Sequence, residues 1–574
     1  RKVVGSLALD ALSEKYGGTV KDDKIKEYWN NGVLTSDIPK DELIEYAKYD
    51  GINTELVYLG QLQVAKQLKI LPLIRVAMES RLTTILCEMN GMQIDTSLRD
   101  ELISVAEPKL KEISATAHEM CKPMFPDIPY QVNLGSVNCN GVMLFGGEIK
   151  YDAVEVKKDE KGNILVNKTK KSPSFGKPHT RKVVKTFNVQ GLGAIPRKEW
   201  LSKTGIYSVN NDNIDDIYSE GTEEVKRYID ILREYRGEQR TLSTYLKGGM
   251  IDKLYPDGML RGQFVHSKAI TGRKTSSEPN LQNFPSTEKS KAKYCIVSRF
   301  EDGLILSADY SQLEPTVKGW ETQDPKWIKD VNEGLDFHCK YLALYKGIPY
   351  EQVYQWAKVE EIPEWVSQRK DIKSAFTFAS EYGAGPAMVA EKLGMPIEEI
   401  KKIFEAKDNE YPVAAQYFDD KEDELKSTQV DWKRDPVSGK MTHIGWFRNL
   451  LGHIWCQGSN IRKSKRGTYY EAYYRPSILN TPMQGTADDI MKIAGHLLLR
   501  NLYLVYPDIV RPIAEVHDEF LMDIKAEYKD FISEKVRYCL EEAMPKYIEE
   551  HFEVKVNIPF KCSIEVGKSW GEAK

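Results

Sequence analysis

Residues 304–316 read LILSADYSQLEPT. The apolar run Leu304-Ile305-Leu306, continued by Ala308, has the length of a buried strand, and it stops at Asp309. An aspartate at a strand end is ordinarily a turn former or a helix cap. Glu314 follows and is succeeded at once by Pro315. Proline has no N–H to donate and is comfortable in the first turn of a helix, so the stretch predicts a strand, a turn and a helix beginning near Glu314.

A second acidic junction lies far downstream. In IAEVHDEFLMDI, Ile513–Ile524, two short apolar segments meet at His517-Asp518-Glu519, which reads as a tight hairpin with acids at its tip. Asp309 and Asp518, if brought together, repel unless a cation sits between them. Hard carboxylate oxygens suit Mg²⁺, which completes its shell with water and substrate phosphates. Two such ions about 4 Å apart activate an attacking oxygen and stabilise a leaving one in phosphoryl transfer.

That chemistry needs an element that handles phosphates. RKDIKSAFTFASEYGAGPAMVAEKLGM, Arg369–Met395, offers one. Arg369 and Lys373 stand four apart, hence close together on one helix face. Most such pairs are only a solvated basic edge, but Phe378, Tyr382 and Gly383 follow on the same segment. Cations for a triphosphate beside rings for a base make a sensible nucleotide face.

The 574 residues are enough for two to four domains at roughly 150 residues each. Charged residues form 29% and hydrophobic residues 41%, a globular balance, and a net charge of −4 does not by itself point to a polyanion partner. The eight cysteines are scattered without a C-x-x-C pair, as reduced thiols of an intracellular protein rather than a disulfide or zinc framework. No apolar run approaches the roughly 18 residues of a membrane span, and there is no signal-peptide layout. The chain opens at Arg1 without a Met and is expected to be a fragment.

Residues 1 to about 70, Asp41–Leu68 among them, read as short helices, and Leu71 to about Cys121 as a long helical region with Leu82, Ile85, Leu86 and Met89 at helical spacing. MNGMQID, Met89–Asp95, reads as a turn into a strand. Lys157–Lys185 carries ten Lys/Arg against two acids, with Gly, Pro and Ser among them. Its composition favours a solvated, mobile loop; an arm that touches phosphates is the sharper reading.

Taken in order, DYSQLE, R-x-x-x-K with a following F-x-x-x-Y-G, and VHDE resemble motifs A, B and C of family A DNA polymerases. TGRKTSSEPNLQNFP (Thr271–Pro285), LNTPMQGTADDIMK (Leu479–Lys492) and the terminal VGKSWGEAK are similar to further segments of that family. The similarity runs from about Leu71 to Lys574, and bacterial polymerase I and phage replicative enzymes are its members, the latter the nearer in kind. Six motifs in the right order weigh far more than any one alone.

The resemblance implies an α+β right-hand polymerase fold, a palm of antiparallel sheet with helical fingers and thumb. It divides the chain into a partial exonuclease-like domain at 1–70, a thumb with the start of the palm at 71–250, palm at 251–335, fingers at 336–445 and palm again at 446–574. It also implies that Asp309 and Asp518, helped by the carbonyl of Tyr310, hold two Mg²⁺ ions, with Mn²⁺ accepted in their place. Arg369, Lys373 and His338 face the triphosphate, with Lys373 placed to protonate the leaving pyrophosphate. Glu314 closes the sugar site against a 2′-hydroxyl, and Gln312, Phe378 and Tyr382 complete the nucleotide site. Arg273, Gln484 and His517 touch the primer terminus and minor groove. Asn280, Asn283 and Asn480 are primer-template contacts or, equally, turn and cap asparagines.

Two departures stand out. The family spaces motif B four, four, four; here Arg369, Lys373, Phe378 and Tyr382 are spaced four, five, four. At roughly 100° per residue the extra position swings the rings away from the cations. A one-residue π-bulge between Lys373 and Phe378 restores the face, so a non-α turn is predicted there; an uninterrupted α-helix with Thr377 on the nucleotide face would count against Phe378. The second departure is Pro315-Thr316, where the family commonly has Leu-Arg.

YAKYDGINT, Tyr46–Thr54, resembles the third motif of the family's α/β, ribonuclease H-like 3′–5′ exonuclease domain, with Tyr46 and Asp50 in the motif positions. The D-x-E and further aspartate that this chemistry needs are not matched, so no proofreading is expected of this chain. The expected activity is template-directed DNA synthesis on a primer 3′ end, in bacterial or phage replication, by a monomer in the bacterial cytoplasm or a phage-infected host. Primer-template DNA and dNTPs are the expected partners. A basic insertion at about 149–195, within the thumb, is expected to grip duplex DNA or recruit a processivity or replisome partner. A single-subunit RNA polymerase and a non-catalytic DNA-binding subunit are the alternatives; Glu314 and the paired aspartates with Arg369 and Lys373 argue against them.

Overall fold

The computed structural model describes all residues save 1–7, 20–23, 168–175, 203–204, 212, 267, 289, 378–379, 381–383, 465–466 and 574. At its centre lies an antiparallel four-stranded sheet in the order Val510–Val516, Glu519–Ile524, Leu304–Tyr310, Cys562–Gly567. Register pairs Asp309 with Glu519 on one side and with Ser563 on the other.

The apolar run at 304–308 is continuous because both faces of its strand are covered. Leu306, Ala308 and Tyr310 point into one core with Phe520 and Met522. Ile305 points into the other with Leu521, Ile513 and Trp570. Alternation of side chains across a strand thus divides one segment between two cores. Each buried Leu or Ile contributes roughly 1.5–3 kcal/mol. Against the first core lies the helix Arg475–Leu498, buried along nearly all of its length. Its close approach needs a residue without a side chain: a Cβ on Gly485 would sit 2.2 Å from Trp455 Cζ2.

The helix Leu313–Thr322 starts one residue before Glu314, so the start expected from Pro315 is found. Gln312 adopts left-handed φ (+52°) at its N-cap, and its carbonyl accepts from Thr316 N at 3.1 Å and Thr316 Oγ1 at 3.0 Å. The Pro315 carbonyl accepts from Trp327 Nε1 at 2.9 Å.

Helices Phe337–Lys346, Pro363–Asp371, Pro386–Leu393, Ile397–Glu410 and Pro412–Thr428 form a second body around Trp327, Tyr341, Phe376 and Tyr411. Helices Thr96–Cys121 and Glu223–Arg240 form a third, with a core that includes Tyr228 and Leu232. All eight cysteines are free thiols. No helix among the described residues is long and apolar enough to cross a membrane.

Two expectations are corrected and one is met. The segment 1–70 is not made of short helices throughout: Lys40–Gln67 is one helix, because no proline or cap interrupts it. The turn and strand expected at Met89–Asp95 are found at Gly91 and Met92–Ile94, between the helices Leu71–Asn90 and Thr96–Cys121, the last capped by the Asp95 carboxylate at 3.0 Å from Ser97 N and Leu98 N. On Leu71–Asn90 the core-facing residues are Val76, Thr83 and Cys87, while Leu82, Ile85 and Met89 stand exposed; helical spacing revealed a face without revealing which face is covered. The basic segment is not wholly a loop either. Gly147–Val156 and Thr180–Val189 pair over ten residues each as a two-stranded hairpin, since Val154, Val156, Val183, Val184 and Phe187 supply the β-propensity that the lysine count obscured.

Candidate active site

Asp309 occupies the penultimate position of its strand, and Asp518 the tight turn between Val510–Val516 and Glu519–Ile524. His517 opens that turn with φ of +57°. The turn is fastened to the neighbouring strand by Tyr310 N, which donates to the Asp518 carbonyl at 3.2 Å. Both aspartates line one cavity of about 300 Å³, together with Tyr310, Gln312, Glu314, His338, Lys373 and Asn480.

Arg273 lies between two of the acids, with its guanidinium 3.0 Å from Glu314 Oε1 and 3.9 Å from Asp518 Oδ1. Burial raises the proton affinity of the Asp518 carboxyl; Arg273 opposes this and Glu314 adds to it. A cation beside Asp518 reverses that shift. The third acid of the hairpin has a different task. Glu519 accepts from Ser307 Oγ at 2.6 Å and from Trp570 Nε1 at 3.0 Å, inside the sheet's second core.

Lys373 reaches the cavity, but Arg369 is not among its lining residues. The Arg369 guanidinium is engaged with Asp336, Nε to Oδ1 at 3.2 Å and Nη2 closer still to Oδ2. Asp336 is also the N-cap of Phe337–Lys346, accepting from Cys339 N at 2.8 Å. The pair thus pins the helix carrying Arg369 to the helix carrying His338. Burial holds the His338 imidazole down to about 4, with Lys373 and Arg369 adding to the shift and Asp336 opposing it, so the ring is neutral at pH 7. Its Nδ1 lies 3.1 Å from Thr377 Oγ1.

The segment Ile372–Thr377 winds as a π-helix, the non-α turn that the four-five-four spacing predicts. Thr377 nonetheless lines the cavity. Phe378 and Tyr382 lie outside the described residues.

The remaining sequence candidates are distributed around this centre. His517 and Arg273 share a small neighbouring cavity of about 30 Å³ with Gln282 and Glu515. Gln484 is half-buried on Arg475–Leu498, one residue beyond the cavity-lining Met483. Asn280 is a cap: its Oδ1 accepts from Gln282 N at 3.1 Å. The Asn283 carbonyl accepts from the Tyr245 hydroxyl. Tyr46 and Asp50 sit on Lys40–Gln67, Tyr46 packed edge-on against Trp29 at 5.9 Å and Asp50 beside a shallow surface with Thr54 and Tyr58.

Sequence reasoning missed Lys318 and Asp336, and named Thr377 only as the alternative to Phe378. Lys318 is buried in Leu313–Thr322, lines the cavity, and holds its ammonium 4.4 Å from the Trp327 ring centroid. A lysine in the apolar run Val317–Trp320 was the available signal.

Asp309 and Asp518 bring hard carboxylate oxygens to this cavity, donors whose chemistry fits a divalent cation that keeps water and phosphate ligands of its own. An antiparallel sheet here presents two carboxylates to a cavity that a lysine from a helical body also lines. The family model described as DNA polymerase family A matches residues 180–572, and the chain belongs to that family.

It is 28% identical over 375 residues to DNA polymerase I of Lactococcus lactis subsp. cremoris (strain MG1363), a match covering 65% of this chain and 37% of that protein. Against DNA polymerase I of Bacillus caldotenax the identity is 27% over 379 residues, again 65% and 37%. The chain therefore matches little more than a third of the length of these curated relatives. Among solved structures, the polymerase domain of Pol1 from M. smegmatis, in complex with DNA primer-template and dNTP, superposes with a TM-score of 0.65 at 20% identity, covering 100% of this chain and 80% of that one. The fold is accordingly the α+β right hand of palm, fingers and thumb.

Proposed function

We propose that this chain extends a primer 3′-hydroxyl with deoxynucleotides under the direction of a DNA template. The carrying observation is that Asp309, Asp518, Glu314 and Lys373, drawn from three distant segments, line one cavity. The family membership and a relative whose structure holds primer-template DNA and dNTP support the same reading.

Asp309, Asp518 and the Tyr310 carbonyl would hold two Mg²⁺ ions, Mn²⁺ serving in their place. When bound, the ions supply the positive charge that favours the ionised primer oxygen and the departing pyrophosphate. Lys373 meets the triphosphate from the fingers side and gives a proton to the leaving oxygen. Arg369 has donors enough to share its guanidinium between Asp336 and the triphosphate. Neutral His338 offers a ring N–H there without adding charge. Glu314, held by Arg273, stands where a 2′-hydroxyl would lie, so deoxynucleotides are favoured. Gln312, Phe378 and Tyr382 complete the nucleotide site, while Arg273, His517, Gln484, Asn480, Asn280 and Asn283 border the primer-template.

In this reading residues 71–250 act as thumb, 251–335 and 446–574 as palm, and 336–445 as fingers. Residues 1–70, with Tyr46 and Asp50, are exonuclease-like. The protein works in a bacterial cytoplasm, including that of a phage-infected host. The basic hairpin of the thumb grips duplex DNA.

Primer extension with Mg²⁺ tests the reading. Asp309→Ala and Asp518→Ala each lower extension by about a thousandfold or more, a loss of the size seen when charge stabilisation at a reacting centre is removed. Full activity in either variant removes the paired-aspartate assignment. Efficient use of rNTPs by the wild type removes Glu314 as the gate and favours the RNA polymerase alternative.

A further inference from the structure

Beside the sheet strand Met441–Arg448 lies a second, smaller hairpin, Asn460–Lys463 paired with Tyr469–Ala472. Its sequence, NIRKSKRGTYYEA, holds four basic residues against one acid, with two adjacent tyrosines. Opposed residues of an antiparallel pair share a face, and successive pairs alternate. Asn460/Ala472 and Arg462/Tyr470 therefore lie on one face, Ile461/Glu471 and Lys463/Tyr469 on the other.

The second face is in use. Glu471 accepts from His443 N at 3.0 Å and pairs with His443 Nδ1 at 2.9 Å, while Lys440 Nζ reaches the Tyr469 carbonyl at 2.8 Å. This anchors the hairpin to the sheet strand Met441–Arg448 and takes its single acid away from the other side. The first face is open: Arg462 and Tyr470 are exposed, Tyr470 at 47%. Two residues past the strand, Tyr474 is 54% exposed.

The open face continues toward the catalytic cavity. Tyr474 is the N-cap of the helix Arg475–Leu498. Arg475 and Leu479, in its first turns, line a cleft of about 560 Å³ that also borders Lys318 and Trp327. Lys318 and Trp327 line the catalytic cavity too, as do Asn480 and Met483 further along the helix. Cleft and catalytic cavity thus share the buried Lys318 and Trp327, and the helix capped by the exposed Tyr474 lines both.

Resting on the function proposed above, we propose that the face bearing Arg462, Tyr470 and Tyr474 binds the single-stranded template ahead of the primer terminus. Every base has a π-face, so stacking on tyrosine tolerates any sequence. Arg462 beside Tyr470 supplies a phosphate contact or stacks on a base itself. A template strand must reach the cavity unpaired, and this face supplies what an unpaired strand, unlike a duplex, can use.

The test is equilibrium binding of labelled primer-templates without chemistry, using the full chain, a 5′ template overhang of about ten nucleotides and a blunt duplex of equal length. Wild-type protein binds the overhang substrate more tightly. Tyr470→Ala with Arg462→Ala lowers overhang affinity by about tenfold, the scale of one lost base–aromatic contact, and leaves blunt-duplex affinity unchanged. Tyr470→Phe keeps the ring and most of the affinity. Equal losses on both substrates, or no loss on either, overturn the proposal. Retention of overhang binding with loss only on a substrate carrying a downstream displaced strand also overturns it and assigns the face to that strand. Because the readout needs no catalysis, its failure is separate from failure of the Asp309 and Asp518 tests.

Discussion

Glu321 shows how much one buried carboxylate organises. It lies at the far end of Leu313–Thr322 from the catalytic turn. Its oxygens accept from Leu450 N at 3.0 Å, the Tyr417 hydroxyl at 2.8 Å and Thr486 Oγ1 at 3.1 Å. It joins the helix after Asp309 to the helices Pro412–Thr428 and Arg475–Leu498. Burial pushes its carboxyl from 4.5 up to about 7, against the pull of those hydrogen bonds. The folded form therefore binds the proton more tightly than the unfolded chain. Stability from this group is complete below about 4.5 and fades as pH rises through about 7. The whole displacement is worth on the order of 3 kcal/mol. Glu321→Gln should flatten the fall of Tm between about pH 5 and 8 while lowering Tm at the acid end, where an amide now faces donors. Parallel Tm profiles for variant and wild type would show that Glu321 does not titrate in this window.

Among the elements, the helix Arg475–Leu498 depends most on a single absent side chain. Trp455 packs over Gly485, and a Cβ there would meet its ring at 2.2 Å. The ring also stacks on His453 at 4.1 Å and sits near Phe447 at 5.9 Å, so it has no easy retreat. Gly485→Ala should destabilise by about 1–3 kcal/mol or more despite alanine's better helix propensity. Chemical denaturation measures this, and a neutral or stabilising result would mean that the indole moves freely. The π-helix at Ile372–Thr377 was legible as a spacing anomaly between Lys373 and Phe378. The strand Thr180–Val189 was not, because the lysine-rich composition of Lys157–Lys185 outweighed Val183 and Val184. An isolated two-stranded hairpin is marginal by composition alone; here Ile149 and Val189 are buried at its base in the core that includes Tyr228 and Leu232.

At the scale of the molecule, the proposed grip on duplex DNA depends on how charge is distributed over the hairpin Gly147–Val156 with Thr180–Val189. Arg181 and Lys185 are each 3.1 Å from Glu155, so two of its cations are partly neutralised within the hairpin. Lys150 and Lys182 lie on the opposite face with Val154 and Val184. Replacing residues 157–178 with a short turn should weaken primer-template binding and flatten its dependence on salt, since fewer counterions are released. Titrations at several salt concentrations measure the slope; an unchanged slope would remove the duplex grip.

The sequence by itself pointed to the paired carboxylates Asp309 and Asp518, because an apolar strand ending in acid and an acid-tipped hairpin are local patterns, and it determined the helix start at Pro315 for the same reason. It named Arg369 and Lys373 together, since four residues is one helical turn. Only the tertiary structure separated them, turning Arg369 to Asp336 while Lys373 faces the cavity. Only it brought Lys318 and Thr377 to that cavity, and only it showed that Leu82, Ile85 and Met89 face outward. The physical reason is common to all of these: periodicity fixes which residues share a face, whereas burial and ion pairing depend on what another segment places opposite that face.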